Sequence, residues 1–271
     1  MGVVNVTPDS FSDGGRYLDA AAAVAHGRSL VAVGADILDV GGESTRPGAP
    51  AVPENEELRR VMPVIEGLIA SGCPARISID TSKSGVAERA LRAGATLVND
   101  VTALRGDPGM AGVIAAAEAE CCLMHMLGDP RTMQDDPRYD DVVGDIKAFL
   151  GERMRFAVEA GIALDRILLD PGIGFGKTVA HNLELLARLG EFLDLGRPVV
   201  IGTSRKSFLG ALTGRESPDD RVAATVATCV LAYERGARIF RVHDVAPVRD
   251  ALTVTGATVS APWTTRTSTT R

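Results

Sequence analysis

Eight times along this chain a short run of β-branched and aliphatic residues gives way to a longer stretch rich in alanine and leucine, and no Pro-, Gly- or Ser-rich linker breaks the series. The strand candidates are GVVNV (2–6), DILDV (36–40), RISID (76–80), TLVND (96–100), CCLMH (121–125), RILLD (166–170), VVIGT (199–203) and IFRVH (239–243). They are mostly apolar on both faces, as parallel strands covered by helices are. Helices are predicted at residues 19–33, 54–70, 83–92, 108–118, 141–160, 179–189 and 219–235, with a thin last one at 247–254. In the second, Leu58, Val61, Met62, Ile65, Leu68 and Ile69 share a face, and Pro63 is expected to kink the helix or mark its true start.

Eight such units in roughly 250 residues favour an α/β fold of one kind, a closed (β/α)8 TIM barrel, over a doubly wound open sheet. A single barrel domain is expected over residues 1–255, followed by a polar, disordered tail at 256–271 that ends in TTRTSTTR. The chain opens directly on its first strand, so the floor of the barrel is expected to lack a plug.

Composition narrows the partners. A net charge of −6, with no stripe of Arg and Lys, argues against a nucleic acid. No apolar run approaches the roughly 18–20 residues that cross a bilayer, and no basic-then-apolar leader opens the chain, so no membrane partner is expected. Cys73, Cys121, Cys122 and Cys229 have neither disulfide-framework nor metal spacing, which fits a reduced, cytoplasmic protein.

The polar residues that close the strands carry the functional signal. They are Asn5, Asp39, Asp80, Asn99, Asp100, His125, Asp170, Thr203 ahead of Ser204-Arg205-Lys206, Arg241 and His243. In a barrel all of these gather on the C-terminal rim, where active sites of the architecture lie. Any one of them is equally well explained by a loop beginning there. As a set they are harder to dismiss, because Asp80, Asn99, Asp170, Lys206, Arg241 and His243 interrupt apolar segments where an unpaired polar group is costly.

Glycine-rich segments follow the first, second and sixth strands: SFSDGG, GGESTRPG (41–48) and PGIGFG (171–176). None has the order of a P-loop or of a dinucleotide fingerprint. Ser44, Thr45 and Arg46 on one side of the rim, with Arg241 and His243 on the other, supply donors for an anion. Asp80, Asn99 and Asp170 suit a planar heterocycle that donates and accepts hydrogen bonds at fixed angles. No HExxH or Cys/His cluster supports zinc, and His26 and His181 fall on helical segments away from His125 and His243. Mg2+ fits better, held mainly by ligand phosphates with Asn5 as protein ligand.

In order and spacing, MGVVNVTPDSFSDGG, GADILDVGGESTRPGA, ISIDT, GATLVND, LMHMLGDPRTMQ, ILLDPGIGFGKTVAHN, GTSRKSFLG and FRVHDV resemble the motifs of the dihydropteroate synthases. The resemblance covers residues 1 to about 250. It implies condensation of 7,8-dihydropterin-6-ylmethyl diphosphate with p-aminobenzoate, giving 7,8-dihydropteroate and pyrophosphate, with these small molecules as partners and Mg2+ as cofactor. Carried over, Asp80, Asn99, Val101, Met124, Asp170, Phe175 and Lys206 match the pterin pocket, and Asn5, Thr45, Arg46, Arg241 and His243 the diphosphate end, with Asn5 toward the metal. Phe11, Thr45, Pro47, Lys206 and Ser207 match the p-aminobenzoate side. Asp9, Ser10, Asp13, Ser44 and Gly48 fall in two loops that resemble the mobile ones closing over the substrates. A homodimer through the late helices and competitive inhibition by sulfonamides are implied as well. A corrinoid-type pterin methyltransferase shares the barrel and the Asp/Asn/Asp pocket, but has no need of GGESTRPG, GTSRKSFLG or RVHDV. A barrel that merely binds pterin would show no dependence on Mg2+ or pyrophosphate.

Overall fold

The computed structural model describes residues 1–7, 16–45, 48–129 and 132–260. Strands β1 (Gly2–Asn5), β2 (Ile37–Gly41), β3 (Arg76–Asp80), β4 (Leu97–Asp100), β5 (Glu120–Met124) and β6 (Ile167–Asp170) form one parallel sheet in sequence order. Strands β7 (Val200–Ile201) and β8 (Ile239–Phe240) pair with each other. Two seams close the ring. Leu169 bridges to Val199 and donates its N–H to Pro198 at 3.0 Å, while Gly2 bridges to Val242 and Val3 donates to the Val242 carbonyl at 3.1 Å. The result is the TIM barrel that the eightfold alternation predicts.

Around it lie α1 (Arg16–Ala32), α2 (Glu54–Ala70), α3 (Ser84–Arg92), α4 (Met110–Ala116), α5 (Val142–Glu159), α6 (Val179–Ala187), α7 (Ser207–Thr213), α8 (Val222–Glu234) and α9 (Val245–Ser260). Alternation along each strand sorts the side chains. In β2, Leu38 and Val40 face the helices and join the main core with Ile65 and Leu68 of α2, whereas Ile37 and Asp39 point into the barrel. The inward residues Ile37, Leu97, Cys122, Leu168 and Val200 pack together against Met1 and Ile239. An Arg76–Glu120 ion pair joins the starts of β3 and β5 at the same end. The floor is therefore filled by the strands' own side chains.

Three expectations need adjustment. Helix α2 runs on through Pro63, which is exposed on the outer face where the missing hydrogen bond faces solvent, so Pro63 does not mark a start. Its buried residues are Glu57, Val61, Val64, Ile65 and Leu68, and Ile69 is exposed. The final helix is neither thin nor finished at residue 254: α9 reaches Ser260, so residues 256–260 belong to it and not to a tail. Residues 261–271 lie outside the described ones.

The chain between α6 and β7 folds as a 3-10 segment, Leu189–Leu195, that drives Phe192 wholly into the core. Phe192→Ala removes one of the largest fully buried side chains and is expected to cost about 3–5 kcal/mol of stability. Urea unfolding followed by circular dichroism measures the loss, and a shift below 1 kcal/mol, roughly the cost of a surface change, would contradict this packing.

Candidate active site

Above the apolar floor the barrel interior turns polar, and one carboxylate organises it. Asp39, fully buried, accepts a hydrogen bond from Ser78 Oγ at 2.5 Å on Oδ1, and from Asn99 Nδ2 at 3.0 Å and Arg241 Nε at 2.6 Å on Oδ2. Arg241 then donates through Nη2 to Asp80 Oδ2 at 2.6 Å. Register makes this possible, since Asp39 stands beside Ser78 and Asp80 beside Asn99 across the β2–β3 and β3–β4 ladders. Burial pushes the Asp80 carboxyl up to about 7, against the pull of the Arg241 guanidinium. Burial also works against the Arg241 charge, but Asp39 and Asp80 hold its pKa above the ordinary arginine value.

Asp39 and Ser78 are site residues that the strand-end pattern did not single out with a role. Their signal was a charged and a hydroxyl residue at inward positions of otherwise apolar strands. Arg241 was expected on the diphosphate side, and its guanidinium is here engaged by two carboxylates, Asp39 and Asp80, the second of which was expected on the pterin side.

One wall of the mouth is apolar. Val101, Met124, Met126 and Met133 form a buried cluster with Phe175 packed against it, and the two latter methionines were not foreseen. Lys206 lies over the Phe175 ring, 4.4 Å from its centre, and Nζ donates to the Ile173 carbonyl. Desolvation lowers the Lys206 pKa to about 7, while Asp170 pulls the other way. Burial raises the Asp170 pKa against Lys206 and against the Gly172 N–H, which donates to Asp170 Oδ1 at 2.7 Å.

The PGIGFGK loop approaches its neighbours too closely for side chains. Gly172 has φ 68°, and a Cβ there would lie 1.9 Å from the His125 carbonyl oxygen. Behind the loop, buried Lys177 Nζ lies 2.9 Å from His125 Nδ1 and donates to the Phe175 carbonyl at 2.9 Å. Burial, and after it the nearby Lys177, lower the His125 pKa far below the ordinary imidazole value. His125 thus braces the wall from behind.

On the far side, Asn5 ends β1 half-buried, and its side chain makes no hydrogen bond among the described residues. Half-buried His243 follows β8 and meets Ser204 Oγ at 3.0 Å through Nδ1. Arg205 has φ 60°, a left-handed conformation that costs an ordinary residue about 1–3 kcal/mol and persists only where its surroundings dictate it. Ser207 opens α7 exposed, with half-buried Lys206 before it. Thr45 and Ser44 are half-buried and Gly48 is exposed at φ 79°. Asp9, Ser10, Phe11, Asp13, Arg46 and Pro47 lie outside the described residues.

The stem of the second glycine-rich loop is pinned by another buried cluster. Glu43 accepts from the Val52 N–H at 3.1 Å, and Lys83 pairs with both Glu43 and the fully buried Glu57, the latter at 2.6 Å. Burial opposes the Lys83 charge, but the two carboxylates hold its pKa above the ordinary lysine value. Nothing in the sequence pattern flagged this triad.

Comparison with known proteins agrees with this geometry. The family model for pterin binding enzymes matches residues 1–243. The dihydropteroate synthase of Escherichia coli is 46% identical over 261 residues, covering 96% of this chain and 92% of the relative. The chain belongs to the dihydropteroate synthase family. Among solved structures, the Xanthomonas albilineans dihydropteroate synthase with 4-aminobenzoic acid superposes with a TM-score of 0.91 at 54% identity, covering 97% of this chain and 93% of that one. The Xanthomonas albilineans complex with 7,8-dihydropteroate gives 0.88 at 51% identity, with coverage of 97% and 94%.

The raised Asp80 pKa has a measurable consequence. Between its ordinary value of 3.8 and about 7 the folded chain binds a proton that the unfolded chain does not, so this group's contribution to stability falls as pH rises through that window. Asp80→Asn is expected to flatten the plot of unfolding free energy against pH between those limits. An unchanged slope would mean that Asp80 titrates as an ordinary carboxyl.

Proposed function

We propose that the barrel mouth forms 7,8-dihydropteroate from 7,8-dihydropterin-6-ylmethyl diphosphate and p-aminobenzoate, releasing pyrophosphate, with the labour divided as follows. The observation that carries the division is the convergence of Asp80, Asn99, Asp170 and Lys206, from four separate strands and loops, beside the apolar wall of Val101, Met124 and Phe175. A pterin offers ring nitrogens and an amino group to the former and a flat face to the latter. Loss of pyrophosphate breaks the C–O bond at the pterin methylene, and the electron pair leaves with the diphosphate. The aniline nitrogen of p-aminobenzoate then bonds to that carbon and sheds a proton.

Asp80 and Asp170, when ionised, favour the positive charge that develops on the pterin. His243, Thr45 and Arg46 serve the leaving diphosphate, and Arg241, tied to Asp39 and Asp80, joins that end to the pterin pocket. Phe11, Thr45, Pro47, Lys206 and Ser207 form the p-aminobenzoate side, with Asp9, Ser10, Asp13, Ser44 and Gly48 in the loops that exclude water. Mg2+ fits the donor present at the end of β1, where Asn5 offers an amide oxygen not otherwise hydrogen-bonded among the described residues. Bound through the diphosphate, the ion would neutralise charge on the leaving group.

A cytoplasmic setting belongs to the same reading, and among the described residues no helix is long and apolar enough to cross a membrane. A homodimer through the late helices belongs to the same reading, and Leu231 of α8 and Val254 of α9 are apolar residues left exposed on those helices.

Pyrophosphate release measured with and without p-aminobenzoate, alongside dihydropteroate formation, tests the activity. Coupled release that requires Mg2+ is expected, and tight pterin binding without product would sink the reading. Arg241→Ala is expected to lower turnover about 100-fold or more, exceeding its effect on pterin affinity. Equal losses in both would count against a role at the leaving group. A sulfonamide is expected to raise the apparent KM for p-aminobenzoate without changing kcat, and full activity at saturating drug would contradict the assigned p-aminobenzoate side.

A further inference from the structure

Ser204 and His243 sit on the loops that follow β7 and β8, and they are joined twice. The His243 backbone N–H donates to Ser204 Oγ at 3.1 Å, and the same oxygen lies 3.0 Å from His243 Nδ1. A serine hydroxyl has one hydrogen to give and two lone pairs to receive. The backbone N–H can only donate, so it occupies one lone pair. If Nδ1 carried the ring proton and donated to the other, the buried hydroxyl hydrogen would be left over, because Ser204 makes no other hydrogen bond among the described residues. The consistent arrangement has Ser204 donating to Nδ1, which places the ring proton on Nε2.

The surrounding turn holds the two loops in this register. Arg205, in its left-handed conformation, donates its N–H to Thr225 Oγ1 at 3.1 Å, and its carbonyl accepts from Arg221 Nη1 at 2.9 Å. Its guanidinium grips Asp244, the residue after His243, through Nε at 2.9 Å and Nη2 at 2.6 Å. A forked ion pair of this kind fixes orientation as well as distance. It runs alongside the Ser204–His243 contact and joins the same two loops. The costly Arg205 backbone therefore has a use: it turns Ser204 toward β8 and sends Lys206 toward the Ile173 carbonyl and Phe175.

We propose that Ser204 is a positioning residue that fixes the His243 imidazole, in its neutral form, as the Nε2–H tautomer, so that the ring turns a hydrogen-bond donor toward an oxygen of the leaving diphosphate. This deepens the reading of His243 given above and rests on it. A donor set before the substrate arrives needs no reorientation as charge develops on the leaving group.

Nitrogen-15 NMR of the folded, substrate-free protein reads the tautomer directly. The chain has four histidines, and loss of a signal set in His243→Gln assigns the one that matters. At a pH where the imidazoles are neutral, wild-type His243 is expected to show Nε2 as the protonated nitrogen. In Ser204→Ala the two nitrogen shifts are expected to converge as the tautomers exchange, and in Ser204→Thr to return toward wild type. In turnover, Ser204→Ala is expected to lower kcat about tenfold, as loss of an orienting partner does, with the KM for p-aminobenzoate within about twofold. Ser204→Thr should recover most of that loss.

An Nδ1–H ring in the wild type, or unchanged shifts in Ser204→Ala, would overturn the proposal. So would a rise in the KM for p-aminobenzoate with kcat intact. If Ser204→Ala fails to fold, the wild-type tautomer and the Ser204→Thr kinetics decide. A wild-type chain that makes no dihydropteroate yet shows the Nε2–H ring would overturn the diphosphate reading and leave the tautomer assignment standing.

Discussion

A carboxylate with no access to water must find its hydrogen bonds inside the protein, and Asp39 finds three, from Ser78, Asn99 and Arg241. These partners come from β3, β4 and the segment just beyond β8, so one buried charge ties together opposite sides of the barrel. Arg241 passes the constraint to Asp80. With the guanidinium held between two carboxylates, Asp39 and Asp80 are fixed relative to each other across the barrel mouth. Such preorganisation is what a site that stabilises transient charge requires.

The remaining walls follow the same logic of fixing one group through another. Lys177 holds the His125 ring and the Phe175 carbonyl, while Phe175 in turn receives Lys206. The Glu43–Lys83–Glu57 cluster fastens the stem of the loop that bears Thr45. Groups expected to meet substrate stand on the strand ends and first loop residues. The groups that orient them lie one layer deeper or on the flanking helices. A rigid barrel with adaptable loops at one face permits this division of labour.

Much of the site could be read in the sequence, because a polar residue closing an apolar strand is a local signal. Asp80, Asn99, Asp170 and Lys206 all fall at the mouth where that signal put them. Met126 and Met133 could not be recognised, since a methionine in a loop carries no mark of the wall it will join. Asp39 was visible as a strand-end carboxylate, but its role depends on lateral register with β3 and on a guanidinium some two hundred positions away. That Pro63 lies inside α2 and does not start it was hidden for a related reason: its cost depends on which helix face it occupies, and Pro63 stands exposed on the outer one.

The eightfold alternation by itself pointed to the barrel, because eight strands apolar on both faces, each followed by a helix, favour a closed parallel ring over an open sheet. It also determined which residues would reach the C-terminal rim. Tertiary structure alone decided how those residues pair: that Arg241 turns toward Asp39 and Asp80, that Arg205 adopts a left-handed backbone, and that Ser204 meets His243. Each of these is a contact between distant segments, and its free energy depends on distance and burial that no local pattern encodes.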